Sequence, residues 1–398
     1  MNRLKTCRAC GARELLSFLS LGRLPLGSLR RLDQLNVVEK RPQLELGFCP
    51  RCGLVQLLGG AQEAIESGSV YGSWRTLLAQ MEIRRPKQVL ALEGCPLELL
   101  SRLERGGARV LYLDPHPERS QTALSWAIPT RRARFDHALA LRLKEEGFQS
   151  DLILAGHLLA YTHDPNGLLE GLAQVLAEQG HLVLELPNLR ELLEGRRFTR
   201  FSPPQQNYFS VGALKRLAQR HGLQLQRVEA PAPGLLWVHL GRTGPSEAGV
   251  ERYLEEERRL GLEGTAYYLE FGSQVAALRE ALLTLLTELK ARGRRIAVYG
   301  ACPESALLLN FVGLGPEVVD CLVDPDPRKQ GHYIAGVHVP VQGPQRLLER
   351  PTDYLLLLQE NLEEVSRWLP GYLEGGGRCI LALPYPRILA PQPAQMAP

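Results

Sequence analysis

Cys7-Arg-Ala-Cys10-Gly11 and Cys49-Pro-Arg-Cys52-Gly53 are two Cys-x-x-Cys-Gly knuckles, and they use four of the chain's eight cysteines. Two thiolates separated by two residues can grip one ion from a tight turn, and the following glycine permits the positive φ such a turn needs. Four soft ligands suit a closed tetrahedral Zn²⁺ site better than one with a position open for catalysis. Two redox pairs or two disulfides would use the same residues. One redox motif is common, but two matched ones rarely occur together, which favours zinc. The 38 residues between Cys10 and Cys49 exceed ordinary zinc-ribbon spacing, so an extra element sits inside the loop. The expected role of Cys7, Cys10, Cys49 and Cys52 is structural, stapling a small module around Zn²⁺.

A second group of candidates lies at strand ends. The apolar runs 88–92 and 109–113 close in Glu93-Gly94 and in Asp114-Pro115. In doubly wound sheets a ligand lies over the carboxyl ends of the strands, and an acid ending the second strand binds a ribose diol. Glu93, Gly94 and Asp114 are therefore the cofactor candidates, although strand-final Gly and Asp are also ordinary turn residues. A later unit repeats the theme with Gly300 and Asp324. His157 follows the run 151–155, with Tyr161, His163 and Asp164 close behind it. An imidazole there could act as a base, or simply cap a loop. His239, on an expected strand, reads as packed or surface-exposed.

The elements that must position these residues alternate in type. Strands are expected at 88–92, 109–113, 152–155 and 181–185, with helices at 97–105 and 166–179. Such alternation predicts a parallel sheet with helices on both faces. A helix over 211–221 and an antiparallel pair, 223–228 with 235–240, close this sheet. Pro231 to Gly249 reads partly as linker, and a long charged helical stretch follows at 251–260 and 267–292. The α/β pattern then restarts with strands at 295–299, 318–323, 353–358 and 378–383 and a helix at 305–311. The expected domains are a zinc module (1–60), a Rossmann-like domain (61–245), a helical arm (246–292), a second Rossmann-like domain (293–390) and a disordered tail (391–398).

Composition narrows the partners. The 398 residues carry a net charge of only +4, with basic residues spread along the chain, so nucleic-acid binding is not expected. No apolar stretch of about 18 residues occurs, and the N-terminus lacks a signal-peptide core. With thiolate zinc ligands favouring a reducing compartment, the expected location is the cytoplasm, with no membrane partner.

These pieces together resemble the three-domain sugar C-methyltransferases that use S-adenosylmethionine. The likeness runs over nearly the whole chain. It is carried by the zinc module with Leu19-Ser-Leu-Gly22 and Leu24-Pro25-Leu26-Gly27. It is carried further by Val298-Tyr-Gly-Ala301, Leu308-Leu-Asn310, Val323-Asp324-Pro-Asp-Pro-Arg-Lys329-Gln-Gly331 and Gly336-Val-His-Val-Pro340. The resemblance implies an α/β fold: a Rossmann-like class I methyltransferase domain, a second Rossmann-like C-terminal domain and a small N-terminal zinc module. It also implies S-adenosylmethionine as cofactor and a nucleotide-linked sugar as the small-molecule substrate.

Two segments depart from the family. Its Glu-x-Gly-x-x-x-Gly loop reads here Leu92-Glu93-Gly94-Cys95-Pro96-Leu97-Glu98, where proline removes an N–H and side chains take space beside the helix N-terminus. Cofactor binding is therefore expected to be weakened, with Asp114 retained for the ribose. The family's Tyr-His-Glu-His cluster before Tyr-Phe-Ser is Ser202-Pro203-Pro204-Gln205 before Tyr208-Phe209-Ser210, so its base is missing. One tyrosine of an upstream element survives as Tyr71. Trp237 and Glu304 stand where positive charge is expected. Tyr71, His157, Tyr161 and Tyr208 are the groups expected near the donor methyl. The alternative is a catalytically silent homologue that binds a sugar nucleotide or a partner protein.

Overall fold

The sequence places three apolar strands inside the long gap between the knuckles and just beyond it. In the computed structural model, which describes residues 3–59, 86–350, 352–358, 362–368 and 370–389, these are β1 (Leu16–Arg23), β3 (Gln43–Phe48) and β4 (Val55–Gly59). They form an antiparallel sheet that a strand from far along the chain, β10 (Asn207–Tyr208), completes by pairing Asn207 with Gln56. A two-residue strand, β2 (Leu29–Arg30), pairs elsewhere. Tyr71 lies outside the described residues.

The middle domain is built from β5 (Gln88–Leu92), α1 (Leu97–Arg105), β6 (Arg109–Leu113), α2 (Pro117–Ser125), β7 (Thr130–Arg131), α3 (His137–Glu145), β8 (Ser150–Ala155), α4 (Leu158–Tyr161), α5 (Pro165–Val175) and β9 (Leu176–Pro187). After α6 (Leu189–Glu194) and α7 (Val211–Arg220) come β11 (Gln224–Glu229) and β12 (Leu235–Gly241). The sheet order is β11-β12-β9-β8-β5-β6-β7, and β12 alone runs antiparallel to the other strands. The central strands are buried on both faces, as their unbroken apolar runs require. Asp136, Asp164, Asn188 and Ser210 cap their helices by accepting a backbone N–H three residues on. One boundary differs from expectation. The helix expected over 166–179 stops at Val175, because Leu176 turns extended and pairs with Ser150, so β9 begins five residues early.

The arm is two helices, α8 (Ala248–Leu260) and α9 (Thr265–Ala291). At 27 residues, α9 extends roughly 40 Å. Its buried residues Tyr268, Phe271, Val275, Leu278, Leu282, Leu286 and Leu289 follow the three-and-four spacing of a single stripe. Where α9 crosses β1, a Cβ on Gly272 would lie 2.0 Å from the Phe18 carbonyl oxygen, so only glycine fits. The second α/β domain has the sheet order β16-β14-β13-β17-β18-β19, made of β13 (Ile296–Tyr299), β14 (Cys321–Val323), β16 (Val341–Gln342), β17 (Tyr354–Leu357), β18 (Arg378–Leu381) and β19 (Arg387–Ile388). Its helix α10 (Pro303–Val312) follows β13. The strand β15 (Tyr333–Ile334) pairs with β2, and Glu39 accepts the Gly336 N–H at 3.0 Å, so the zinc module is joined to both α/β domains. No described helix is long and apolar enough to cross a membrane.

Candidate functional site

The two knuckles meet as expected. Cys7 and Cys52 Sγ atoms lie 3.5 Å apart, as do those of Cys10 and Cys49, and all four fall within 4.8 Å of one another. A tetrahedron with Zn–S bonds of about 2.3 Å has edges of about 3.8 Å, so the four sulfurs fit one Zn²⁺. A disulfide would need about 2.05 Å, and all four cysteines are free thiols. Each knuckle closes identically: Gly11 N–H donates to Cys7 O at 2.9 Å and Gly53 N–H to Cys49 O at 2.8 Å, with φ of 70° and 79°. The middle domain grips this centre from outside. Asn166 on α5 donates to the carbonyls of Arg8 and Ala9, and Arg216 on α7 to that of Cys52. Arg51, Arg216 and Arg220 line a cavity of about 480 Å³ beside Cys10 and Cys52, which sets cations against the negative charge of a zinc tetrathiolate.

At the carboxyl edge of the seven-stranded sheet, the loops after β5 and β8 touch through bare backbone. Gly94 has a φ of 96°, and a Cβ on Gly156 would come within 3.2 Å of Glu93 O and 3.4 Å of Gly94 Cα. This is a cradle that any side chain would fill. Glu93 is half-buried, 3.9 Å from His116 Nε2; burial raises its pKa, with Arg134 opposing. The Cys95 thiol points into the core, donating to Leu154 O, and burial pushes it up to about 12.

Asp114 ends β6 as expected, but its carboxylate is fully buried and already occupied. One oxygen accepts the His116 N–H at 2.9 Å. The other accepts the Tyr112 hydroxyl at 2.5 Å and lies 3.2 Å from Arg119 Nε. A carboxylate has about four lone-pair positions, so a ribose diol would need one or more of these donors to leave. In the second α/β domain Asp324 is bound in parallel fashion, by the Ala301 and Asp326 N–H groups and by Lys329 Nζ at 2.9 Å.

His157 stands at the end of β8, its side chain only 16% exposed. Its Nε2 is 3.4 Å from Glu185 Oε1, within ion-pair range but without hydrogen-bond alignment, and neither buried ring nitrogen has a hydrogen-bond partner among the described residues. Burial lowers the pKa of His157, and Glu185 partly opposes the shift, so the neutral imidazole is favoured. Tyr161 stands edge-on to it, ring centroids 6.4 Å apart, and burial keeps its phenol protonated.

Tyr208 does not stand free at this edge. It is buried, packed edge-on against Phe201, and its hydroxyl accepts the Ser202 N–H at 3.1 Å. Its place in β10 fixes it in the zinc-module sheet, so it serves packing. The neighbouring segment is equally committed to structure: Gln206 N–H donates to Ala160 O and Asn207 donates to Leu159 O and Thr162 O. Glu304 pairs with Arg200 of the middle domain at 3.1 Å, and His239 lies buried beside Glu229. Sequence reasoning missed Glu185 and Arg119, and took Trp237 only as the loss of an expected positive charge. A strand-final acid was the only local signal, at Glu185.

Three family models match the chain: "Putative zinc binding domain" over residues 7–63, "Methyltransferase domain" over 68–228 and "C-methyltransferase C-terminal domain" over 234–384. The chain is 27% identical to C-methyltransferase NovU of Streptomyces niveus over 417 residues, covering 96% of each. Among solved structures, the 1,6-didemethyltoxoflavin-N1-methyltransferase of Burkholderia thailandensis, with bound S-adenosylhomocysteine, is 14% identical. It covers 44% of this chain and 80% of that one, with a TM-score of 0.33. The magnesium protoporphyrin IX methyltransferase of Synechocystis is 15% identical, covering 42% of this chain and 81% of that one, with a TM-score of 0.33.

Proposed function

Because this chain belongs to the three-domain S-adenosylmethionine-dependent C-methyltransferase family, we propose that it methylates a carbon of a small molecule, and that this acceptor is a sugar linked to a nucleotide. The observation that carries the reading is the carboxyl edge itself, where the loops after two adjacent strands bring together the Gly94–Gly156 cradle and a buried His157 imidazole with no hydrogen bond among the described residues. Glu93 and the cradle would hold the methionine end of the cofactor. When bound, that cofactor supplies an electrophilic methyl group on a sulfonium. Asp114 would take the ribose once Arg119 has turned away. Thiolate zinc ligation supports a cytoplasmic location.

Attack on a methyl group needs a nucleophilic carbon, so a proton alpha to a carbonyl must first be removed. In the absence of the family's Tyr-His-Glu-His cluster, His157 is the base of this reading. Its neutral Nδ1 would accept the proton, and the C–H electron pair would pass into an enolate on the acceptor. Tyr161, a protonated phenol, would donate a hydrogen bond to that oxygen. Positioned bases of this kind are worth about 10²–10⁴-fold in rate.

Two observations favour the second reading, a silent homologue that binds a sugar nucleotide or a protein. Asp114 is fully engaged, and the segment before Tyr208 has been turned to structural hydrogen bonds. Calorimetric titration with S-adenosylhomocysteine separates the two. Stoichiometric binding supports the enzyme; no heat at millimolar ligand supports the silent homologue. His157→Ala should then leave binding intact and remove turnover.

A further inference from the structure

Glu185 lies two residues before the end of β9, where the antiparallel register sets it directly opposite Trp237 of β12. Both are buried, and Trp237 Nε1–H donates to Glu185 Oε2 at 3.1 Å. That bond turns the other carboxylate oxygen, Oε1, to within 3.4 Å of His157 Nε2. The Glu185 side chain is 2% exposed, and a carboxylate so far from water is costly to keep without a partner. Among the described residues, the other titratable groups here are the Tyr161 phenol and the buried Cys95 thiol, which feels the Glu185 charge. A histidine's tautomer is set by what its second nitrogen faces. Neither ring nitrogen makes a hydrogen bond among the described residues, but Nε2 alone has a carboxylate within ion-pair range, and that charge places the proton on Nε2 and leaves the lone pair on Nδ1.

We propose that Glu185, oriented by Trp237, is the positioning residue that holds His157 as its Nε2–H tautomer and leaves Nδ1 as the proton acceptor. This rests on the reading of His157 as the base. The same geometry explains why a tryptophan stands in β12 where the family resemblance implies positive charge. A cation at that position would compete with His157 for Glu185.

Nitrogen-15 NMR of histidine-labelled full-length protein reads the tautomer directly and needs no turnover. The wild type should show His157 as the Nε2–H form. Glu185→Gln should shift it toward the Nδ1–H form and lower its pKa by about one unit, since the charge that opposes burial is gone. Trp237→Phe keeps the ring packing and removes only the donor, and should move both quantities the same way by less. In the methyl-transfer assay, Glu185→Gln should lower kcat about 10–100-fold at unchanged acceptor KM, as loss of an orienting partner does. A folded Glu185→Gln protein with wild-type tautomer and pKa overturns the proposal. Should Glu185→Gln not fold, an unmoved His157 in Trp237→Phe overturns it instead. If the spectra shift as expected but the wild type transfers no methyl group, the positioning role stands and the base reading fails.

Discussion

Arg119→Ala should make the protein less stable and its cofactor site better. Asp114 is wholly buried, and Arg119, about one quarter exposed, is its charge partner at 3.2 Å. Removing one member of a buried ion pair typically costs about 3–5 kcal/mol. Asp114 keeps two donors in the variant, the Tyr112 hydroxyl and the His116 N–H, and Arg119 is partly solvated. The expected loss is therefore nearer 2–3 kcal/mol, or about 5–10 °C in Tm for a domain of this size. The vacated lone pairs can then accept ribose hydroxyls, each bond to a charged acceptor being worth about 1.5–3 kcal/mol. After desolvation of the carboxylate, a net gain of about 1.4 kcal/mol makes Kd for S-adenosylhomocysteine about tenfold lower. Differential scanning fluorimetry and calorimetry measure the two effects on one preparation. The reasoning is refuted if Arg119→Ala loses stability while binding is unchanged or weaker, because Arg119 would then not obstruct the ribose site.

Three further outcomes follow from the same geometry. Metal analysis should find one zinc per chain, and chelation should raise hydrogen exchange in the module and also along β10 and α7, which grip the knuckles; exchange confined to residues 3–59 would contradict this. Gly272→Ala should cost more than about 3 kcal/mol in thermal unfolding, because its Cβ would meet a backbone oxygen at 2.0 Å; a loss under 1 kcal/mol would show that α9 can move away from β1. Burial depresses the pKa of His157, His163 and His221 below the ordinary 6.5, so the unfolded chain binds more protons than the folded one. Stability should therefore fall as pH drops below about 6.5, whereas turnover through neutral His157 should stay flat above it; a urea midpoint that stays level or rises as pH drops below about 6.5 would refute the assignment.

What the sequence made legible is what short-range physics decides. The knuckles could be read because four ligands and two glycines sit at fixed local spacing, and the structure closes them on one point. The ends of β5, α1 and β6 fell where apolar runs meet turn residues, and each matched. The start of β9 was hidden because Leu176 to Gln179 carry no signal against helix; pairing with Ser150 decides them. Glu185 could not be joined to Trp237 from sequence, since a register between distant strands makes that contact. Asp114 shows the other limit. Its position was readable, but the Tyr112 and Arg119 side chains that occupy it were not, because both are ordinary residues until the fold turns them inward.

Methyl transfer to carbon is tested by following the methyl group itself. The purified protein, loaded with zinc, is incubated with S-adenosylmethionine labelled in its methyl carbon and with a nucleotide-linked ketosugar. The expected product is heavier by one labelled methyl group, bonded to the carbon beside the carbonyl in its NMR spectrum, and is absent with His157→Ala. Labelled methyl on oxygen, or an unlabelled sugar recovered beside a protein that binds it, would rule out C-methylation by this site.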